Sequence, residues 1–216
     1  MSTVFGRLVV ASGNAGKLRE FRQLCEPLGM TLVAQSELGI AEAEEPHCTF
    51  VENALAKARH ASRASNLPAF ADDSGICVAA LGGAPGIHSA RFAGSHGGGD
   101  RESQDARNNA KLIALLAGKT DRRAHYTCVI VLVRHAGDPE PLIAEGRWEG
   151  EIIATPRGDG GFGYDPYFFL PKWHKTAAEL PAHEKNMISH RGKALAALAS
   201  RLRRDVRGEA WVDREA

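Results

Sequence analysis

The sequence has little that would bind a metal through sulfur, cross a bilayer or attract a polyanion. Only four cysteines occur in 216 residues, Cys25, Cys48, Cys77 and Cys128, with no Cys-x-x-Cys pair and no companion histidine spacing. A zinc site or disulfide framework is therefore not expected, and reduced thiols are the simpler reading. The longest strongly apolar run, Cys128 to Val133, falls far short of the roughly twenty residues that a membrane helix needs. Met1 to Gly6 lacks a basic segment followed by an apolar core, so no secretory signal is expected. Neither sign of charge dominates, with 27 Lys and Arg against 26 Asp and Glu. No global field recruits nucleic acid or a membrane surface, so the expected partner is a small molecule. An anionic partner must be caught by local positive groups. The expected location is the cytoplasm.

What is present suits an ordinary globular chain, 44% hydrophobic and 25% charged. Its length fits one α/β domain, or a single domain of two lobes, spanning residues 1–216. The central stretch is Phe70-Ala71-Asp72-Asp73-Ser74-Gly75, two adjacent carboxylates after a short apolar approach. It reads as a strand ending in a turn, the place where α/β proteins keep their chemistry. A plain turn is the alternative, since these residue types favour turns by themselves. If extended geometry persists, Asp72 and Asp73 point to opposite faces, so one does chemistry and the other braces or binds.

Upstream, Leu8 to Ala11 reads as a buried strand, and a helical period begins at Leu18. Ser12-Gly13-Asn14-Ala15-Gly16-Lys17 joins them. A strand entering a helix through such a turn offers backbone N–H groups, the positive end of a helix dipole and the Lys17 ammonium to a phosphate. It is not a Walker A loop, because Ala11 and Leu18 stand where that motif needs glycine and a hydroxyl residue. Leu32 to Ala34 is a second strand. An acidic segment, Glu42 to Glu45, precedes a helix at Phe50, for which Thr49 and Glu52 have capping-box spacing. Asn53 and Lys57 share one face of that helix, where such pairs usually meet solvent.

Gly94 to Asp100 reads as a flexible loop, and a helical period runs from Asn108 to Leu116. Tyr126 to Val133 is a continuously apolar, β-branched strand expected near the centre of a sheet. Leu142 to Trp148 is a hairpin partner, and Glu151 to Ile153 a further short strand. Gly158 to Gly163 matches G-x-G-x-x-G in form, but Tyr164-Asp165-Pro166 follows it, and the proline disfavours the helix a dinucleotide site requires. A glycine-rich loop presenting Phe162 suits backbone and stacking contacts with a base or sugar instead. His183 to Gly192 is dense in donors, an Ala- and Leu-rich helix runs from Lys193 to Leu202, and residues 203–216 read as a frayed charged tail.

Six of these stretches, in order, carry a resemblance over about Leu8 to Leu202. They are Ser12 to Lys17, Thr49 to Ala54, Ala71 to Gly75, Gly82-Gly83-Ala84-Pro85-Gly86, Gly161 to Pro166, and Ser189-His190-Arg191-Gly192. Together they resemble the inosine/xanthosine triphosphate pyrophosphatase family, which hydrolyses deaminated purine nucleoside triphosphates. The resemblance implies an α/β fold with a long mixed β-sheet flanked by helices, and an active-site cleft between two lobes. It also implies a homodimer, a Mg²⁺ requirement, and release of a monophosphate and pyrophosphate.

Position by position, it implies that Ser12, Gly13, Asn14, Ala15, Gly16 and Lys17 cradle the phosphates. Asp73 matches the general base and a metal ligand, Lys57 a catalytic basic residue near the phosphates, and Ser74 a substrate contact. Glu44 or Glu45 matches the second metal ligand. Phe162, Gly163, Tyr164 and Asp165, with Lys185, His190 and Arg191, match the nucleoside-binding segments. His88, the Gly97 to Gly99 run and the tail depart from the relatives' pattern. A pyrophosphatase for modified pyrimidine triphosphates and a non-catalytic nucleotide sensor are the rival readings.

Overall fold

A computed structural model describes residues 7–25, 31–94 and 100–207. The strands are β1 (Leu8–Val10), β2 (Leu32–Ala34), β3 (Ala69–Val78), β4 (Arg123–Val133), β5 (Leu142–Ile152), β6 (Phe168–Leu170) and β7 (Lys175–Thr176). The helices are α1 (Ala15–Cys25), α2 (Phe50–Ser65), α3 (Arg101–Leu115), α4 (Ala182–Ile188) and α5 (His190–Arg207). The strands form one mixed sheet of seven in the order β2-β1-β3-β4-β5-β6-β7. Strand β1 pairs in parallel with β2 and β3, whereas β6 pairs antiparallel with β5 and β7. This is the mixed α/β architecture expected from the sequence.

The chain divides into two compact units, residues 1–73, 129–146 and 191–216 in the first, and 74–128 and 147–190 in the second. In the first, Val9, Ala11, Ala69, Ala71, Val129, Val131 and Val133 pack with Ala54, Ala58 and Ala61 of α2. Those alanines recur at helical spacing, and their small side chains let the helix backbone lie close to the sheet. The intervening β3 residue Phe70 instead meets Phe21 of α1 edge-on, at a centroid distance of 5.1 Å. The alternation of β3 thus assigns even and odd positions to different helices.

In the second unit Ile76, Val78, Tyr126, Trp148, Ile152 and Phe168 form a core with Leu112 and Leu116. Gly75 is required here. A Cβ at that position would lie 2.2 Å from the Gly86 carbonyl oxygen and 2.5 Å from Ser89 Oγ.

Several boundaries differ from the sequence expectation. Asp72-Asp73-Ser74-Gly75 is not a turn at a strand end but the middle of the ten-residue strand β3. Backbone pairing within a sheet overrides the turn preference of short polar residues. Strand β5 is continuous where two strands were expected, and buried Ala144, Gly146, Trp148 and Ile152 keep one period of two along it. Helix α3 starts at Arg101, capped by Asp100 accepting from the Ser103 N–H at 2.7 Å. Its polar first turns carry no apolar period that would reveal them.

Helix α5 runs from His190 to Arg207, so residues 203–207 continue a helix rather than fray. The rest of the expected tail, 208–216, lies outside the described residues, as do 95–99 of the expected flexible loop. Among the described residues no helix is long and apolar enough to cross a membrane.

The turn after β4 is organised by Asp138, whose carboxylate accepts from Arg134 N–H, Nε and Nη2 and from the Glu140 N–H at 2.9–3.0 Å. Burial alone would raise its pKa, but these donors win and hold it at about 2. The folded value lies below the ordinary 3.8, so the contribution is complete above about pH 4 and is lost as pH falls toward 2. Asp138→Asn should lower stability by about 2 kcal/mol at neutral pH and flatten its dependence between pH 4 and 2, read from urea midpoints.

Candidate active site

The first unit concentrates charge around β3. Asp73 shares its face with Ala69 and Ala71, toward α2, and accepts from Lys57 Nζ at 3.0 Å and Asn53 Nδ2 at 3.3 Å. Lys57 Nζ also donates to Glu45 Oε1 at 2.8 Å. Asn53 bonds both backbone groups of His47, so α2 holds the acidic loop as well as the strand. Asn53 and Lys57 therefore do not form the solvated pair usual for such spacing. Thr49 caps α2 by accepting from the Glu52 N–H at 3.3 Å, and its hydroxyl donates to the Glu52 carboxylate. This is one half of a capping box, with the other half replaced by a side-chain bond.

Asp72 faces the other way. Its Oδ2 lies 2.8 Å from Lys17 Nζ and 3.7 Å from Arg191 Nε, and Arg191 Nη1 donates to Glu20 Oε2 at 2.7 Å. Helix α1 thus contributes Lys17 and, one turn on, Glu20. Asn14 precedes that helix and its Oδ1 accepts from the Gly16 and Lys17 N–H groups at 2.9 and 3.2 Å. The first N–H groups of the expected phosphate turn are therefore capped by Asn14, and the Asn14 N–H lies 3.3 Å from Ser12 Oγ.

The two carboxylates titrate in opposite directions. Asp72 is wholly buried, which alone would raise its pKa, but the pull of Lys17, then Arg191 and Lys57, holds it at about 2. Asp73 is raised, because burial outweighs the attraction of Lys57 and Lys17. Burial works against the Lys57 ammonium, yet Asp73, Asp72 and Glu45 together raise its pKa. Asp72 is therefore a fixed anion, whereas Asp73 is the better proton acceptor.

Of the two candidate metal acids, Glu45 reaches this cluster through Lys57, whereas Glu44 is exposed. Asp73 and Glu45 converge on one ammonium, so they offer hard oxygen donors at a point already suited to a cation. Two carboxylates completed by water and phosphate oxygens match the habits of Mg²⁺. Among the described residues no cluster of three or more His, Cys, Asp and Glu is placed to hold a metal by protein ligands alone.

The second unit holds the remaining candidates. Asp165, almost fully buried, accepts from the Phe162 N–H at 3.0 Å and from Lys185 Nζ at 2.7 Å. Lys185 lies 5.2 Å from the centroid of the Phe162 ring. Gly161 must be glycine, since its φ is +73° and a Cβ would lie 2.1 Å from Asp165 Oδ2. Tyr164 is a buried support whose hydroxyl donates to the Ser89 carbonyl at 2.8 Å, and burial, then Asp105, pushes its pKa upward. His190 is buried and stacks on Tyr126 at 4.6 Å and 8°, with Trp148 beyond. Ser74 follows Asp73 on β3 and is half-buried.

The structure thus gathers Lys17, Lys57, Glu45, Asp72, Asp73 and Arg191 in one unit and Phe162, Asp165, Lys185 and His190 in the other. Adjacent His190 and Arg191 have different surroundings, the first aromatic and the second acidic. Sequence reasoning missed Glu20, Asp105 and Asn109. Glu20 sits three residues from Lys17 on one helix face, a spacing that could have drawn attention to it.

An α/β fold that sets a buried carboxylate–lysine pair in the same unit as a turn entering a helix N-terminus combines a proton acceptor with a potential anion site. The model of the Ham1 family matches residues 8–201, and this chain belongs to that family. It is 65% identical to a dITP/XTP pyrophosphatase of Ralstonia nicotianae, over 91% of this chain and 96% of that protein. It is 60% identical to a dITP/XTP pyrophosphatase of Neisseria meningitidis serogroup A, over 91% and 96% respectively. Among solved structures, a HAM1 protein from Coxiella burnetii matches with a TM-score of 0.83 and 46% identity, covering 92% of this chain and 98% of that one.

Asp72→Asn would leave Lys17 and Arg191 facing a neutral amide in a buried site. Removing one member of a buried charge cluster costs about 3–5 kcal/mol, and a denaturant titration of the variant should show a loss of that size. A loss under about 1 kcal/mol would mean that the cluster does not hold β3 to α1 and α5.

Proposed function

We propose that the chain hydrolyses the triphosphates of deaminated purine nucleosides, ITP, dITP and XTP, to the monophosphate and pyrophosphate, clearing them from the nucleotide pool. The observation that carries this reading is Asp73, a carboxylate with a raised pKa, held between Lys57 and Asn53. The names of the bacterial relatives supply the substrate class.

Water attacks the α-phosphorus, and the bond from that phosphorus to the oxygen bridging to the β-phosphate breaks. Asp73 orients the water and accepts its proton, the role its raised pKa suits. Ser12 to Lys17 receive the phosphates at the N-terminus of α1, where the helix dipole favours anions. Lys17 and Lys57 offset the charge that gathers on the departing pyrophosphate. Asp73 and Glu45 would hold Mg²⁺, which neutralises phosphate charge when bound. Ser74 is a further substrate contact.

Base choice falls to Phe162, Gly163, Tyr164, Asp165, Lys185, His190 and Arg191. Hypoxanthine and xanthine present a 6-keto acceptor where adenine presents a donor amine. A donor at that edge pairs with the first and is left unpaired by the second, which discriminates strongly. A homodimer is part of the same proposal, and sedimentation of the purified protein measures it.

The test is incubation with Mg²⁺ and ITP, dITP, XTP, GTP, ATP and pyrimidine triphosphates, with identification of products. Pyrophosphate and monophosphate are expected, with the deaminated purines fastest. Orthophosphate release, or equal rates on all purines, would overturn the reading. Asp73→Asn should bind ITP yet turn over at least about 10²-fold more slowly.

A further inference from the structure

Helix α3 carries Arg101, Asp105 and Asn109 at successive intervals of four, so the three form one stripe. That stripe holds both backbone groups of Gly163. The Gly163 N–H donates to Asp105 Oδ2 at 2.9 Å, and its carbonyl accepts from Asn109 Nδ2 at 2.9 Å. Asn109 also donates to the Asp105 backbone carbonyl at 2.9 Å, which fixes its amide in this orientation. Arg101 Nε lies 3.8 Å from Asp105 Oδ2, and its guanidinium carbon is 5.6 Å from the centroid of the Phe162 ring.

The same pattern occurs a second time around this ring. Asp165 accepts the Phe162 N–H and pairs with Lys185, which also approaches the ring. Each carboxylate therefore holds one of two consecutive loop N–H groups and pairs with one cation near Phe162. The loop itself, Gly160-Gly161-Phe162-Gly163, is glycine-rich and costs entropy to order. The Asp165 half leaves Gly163 unheld; helix α3 supplies what is missing.

We propose that Asp105 and Asn109 are positioning residues for base recognition, which keep the Phe162 loop in the one shape that presents its ring. This rests on the reading that the Phe162 segment receives the base. If the clamp is released, the binding-competent fraction of loop conformations falls, and apparent affinity falls in proportion. The proton acceptor and lysines lie on β3, α1 and α2, so turnover of bound substrate is spared.

The test is steady-state kinetics of the full chain with ITP and Mg²⁺. Asp105→Leu should raise KM about tenfold with kcat within about twofold, since only uniform binding is lost. Asp105→Asn should stay within about threefold of the native KM, because its amide oxygen still accepts the Gly163 N–H. Asn109→Ala should raise KM several-fold, and it decides the matter if Asp105→Leu fails to fold. Native KM values in Asp105→Leu and Asn109→Ala would overturn the proposal. So would an Asp105→Asn variant as impaired as Asp105→Leu, since charge and not the bond would then be the cause. Phe162→Ala separates the two layers: if it raises KM while the α3 variants do not, the base reading stands and the clamp falls. If Phe162→Ala also keeps the native KM, the base reading fails.

Discussion

Two carboxylates at adjacent positions of a buried strand impose the constraint on which the first unit depends. Extended backbone sends Asp72 and Asp73 to opposite faces, so one cation cannot serve both equally. Each face must bring its own. Helix α2 supplies Lys57 and Asn53 to Asp73, while α1 and α5 supply Lys17 and Arg191 to Asp72. A buried charge without a partner costs more than most single contacts return, so three helices are tied to the position of one strand. The same arrangement separates the chemistry. The carboxylate with the stronger cationic surroundings is locked as an anion, and the other is left able to take a proton.

The second unit adds a different problem to its buried Asp165–Lys185 pair, that of holding a glycine-rich backbone. Glycines allow the 160–163 loop its shape but pay no part of the entropy of keeping it. Hydrogen bonds from Asp105, Asn109 and Asp165 to the loop backbone do so. Beneath it, Asn108 bonds the carbonyls of Ser89 and Ala90 and the Ala93 N–H, and Tyr164 bonds Ser89. Two loops are thereby referred to the face of α3. His190 belongs to the packed aromatic layer with Tyr126 and Trp148, so its orientation is set by stacking.

Strands with a run of apolar residues were legible in the sequence, as β1, β2 and the apolar part of β4 illustrate. Elements whose residues carry no apolar period were not. The first two turns of α3 are polar, and the last turn of α5 is so charged that it reads as a tail. For the site, Lys17 and Asp73 could be picked out because each stands in a recognisable local pattern. Asn53 could not be distinguished from a surface residue, because its partners Asp73 and His47 are brought to it by packing. That Glu45 rather than Glu44 meets Lys57 has the same origin, since packing and not local sequence brings one of two neighbouring acids to that ammonium.

The sequence by itself determined the residue types, the adjacency of Asp72 and Asp73, the glycines that permit the Phe162 loop, and the order of motifs that marks the family. Those follow from backbone stereochemistry and from local spacing, which are properties of neighbours in the chain. Only the tertiary structure decided that Asp72-Asp73-Ser74-Gly75 lies within a strand, that Arg191 meets Glu20 and Asp72, and that α3 clasps Gly163. It also decided the contrast in titration between the two aspartates. Burial and the position of cations distant in sequence set that contrast, and no local pattern encodes either.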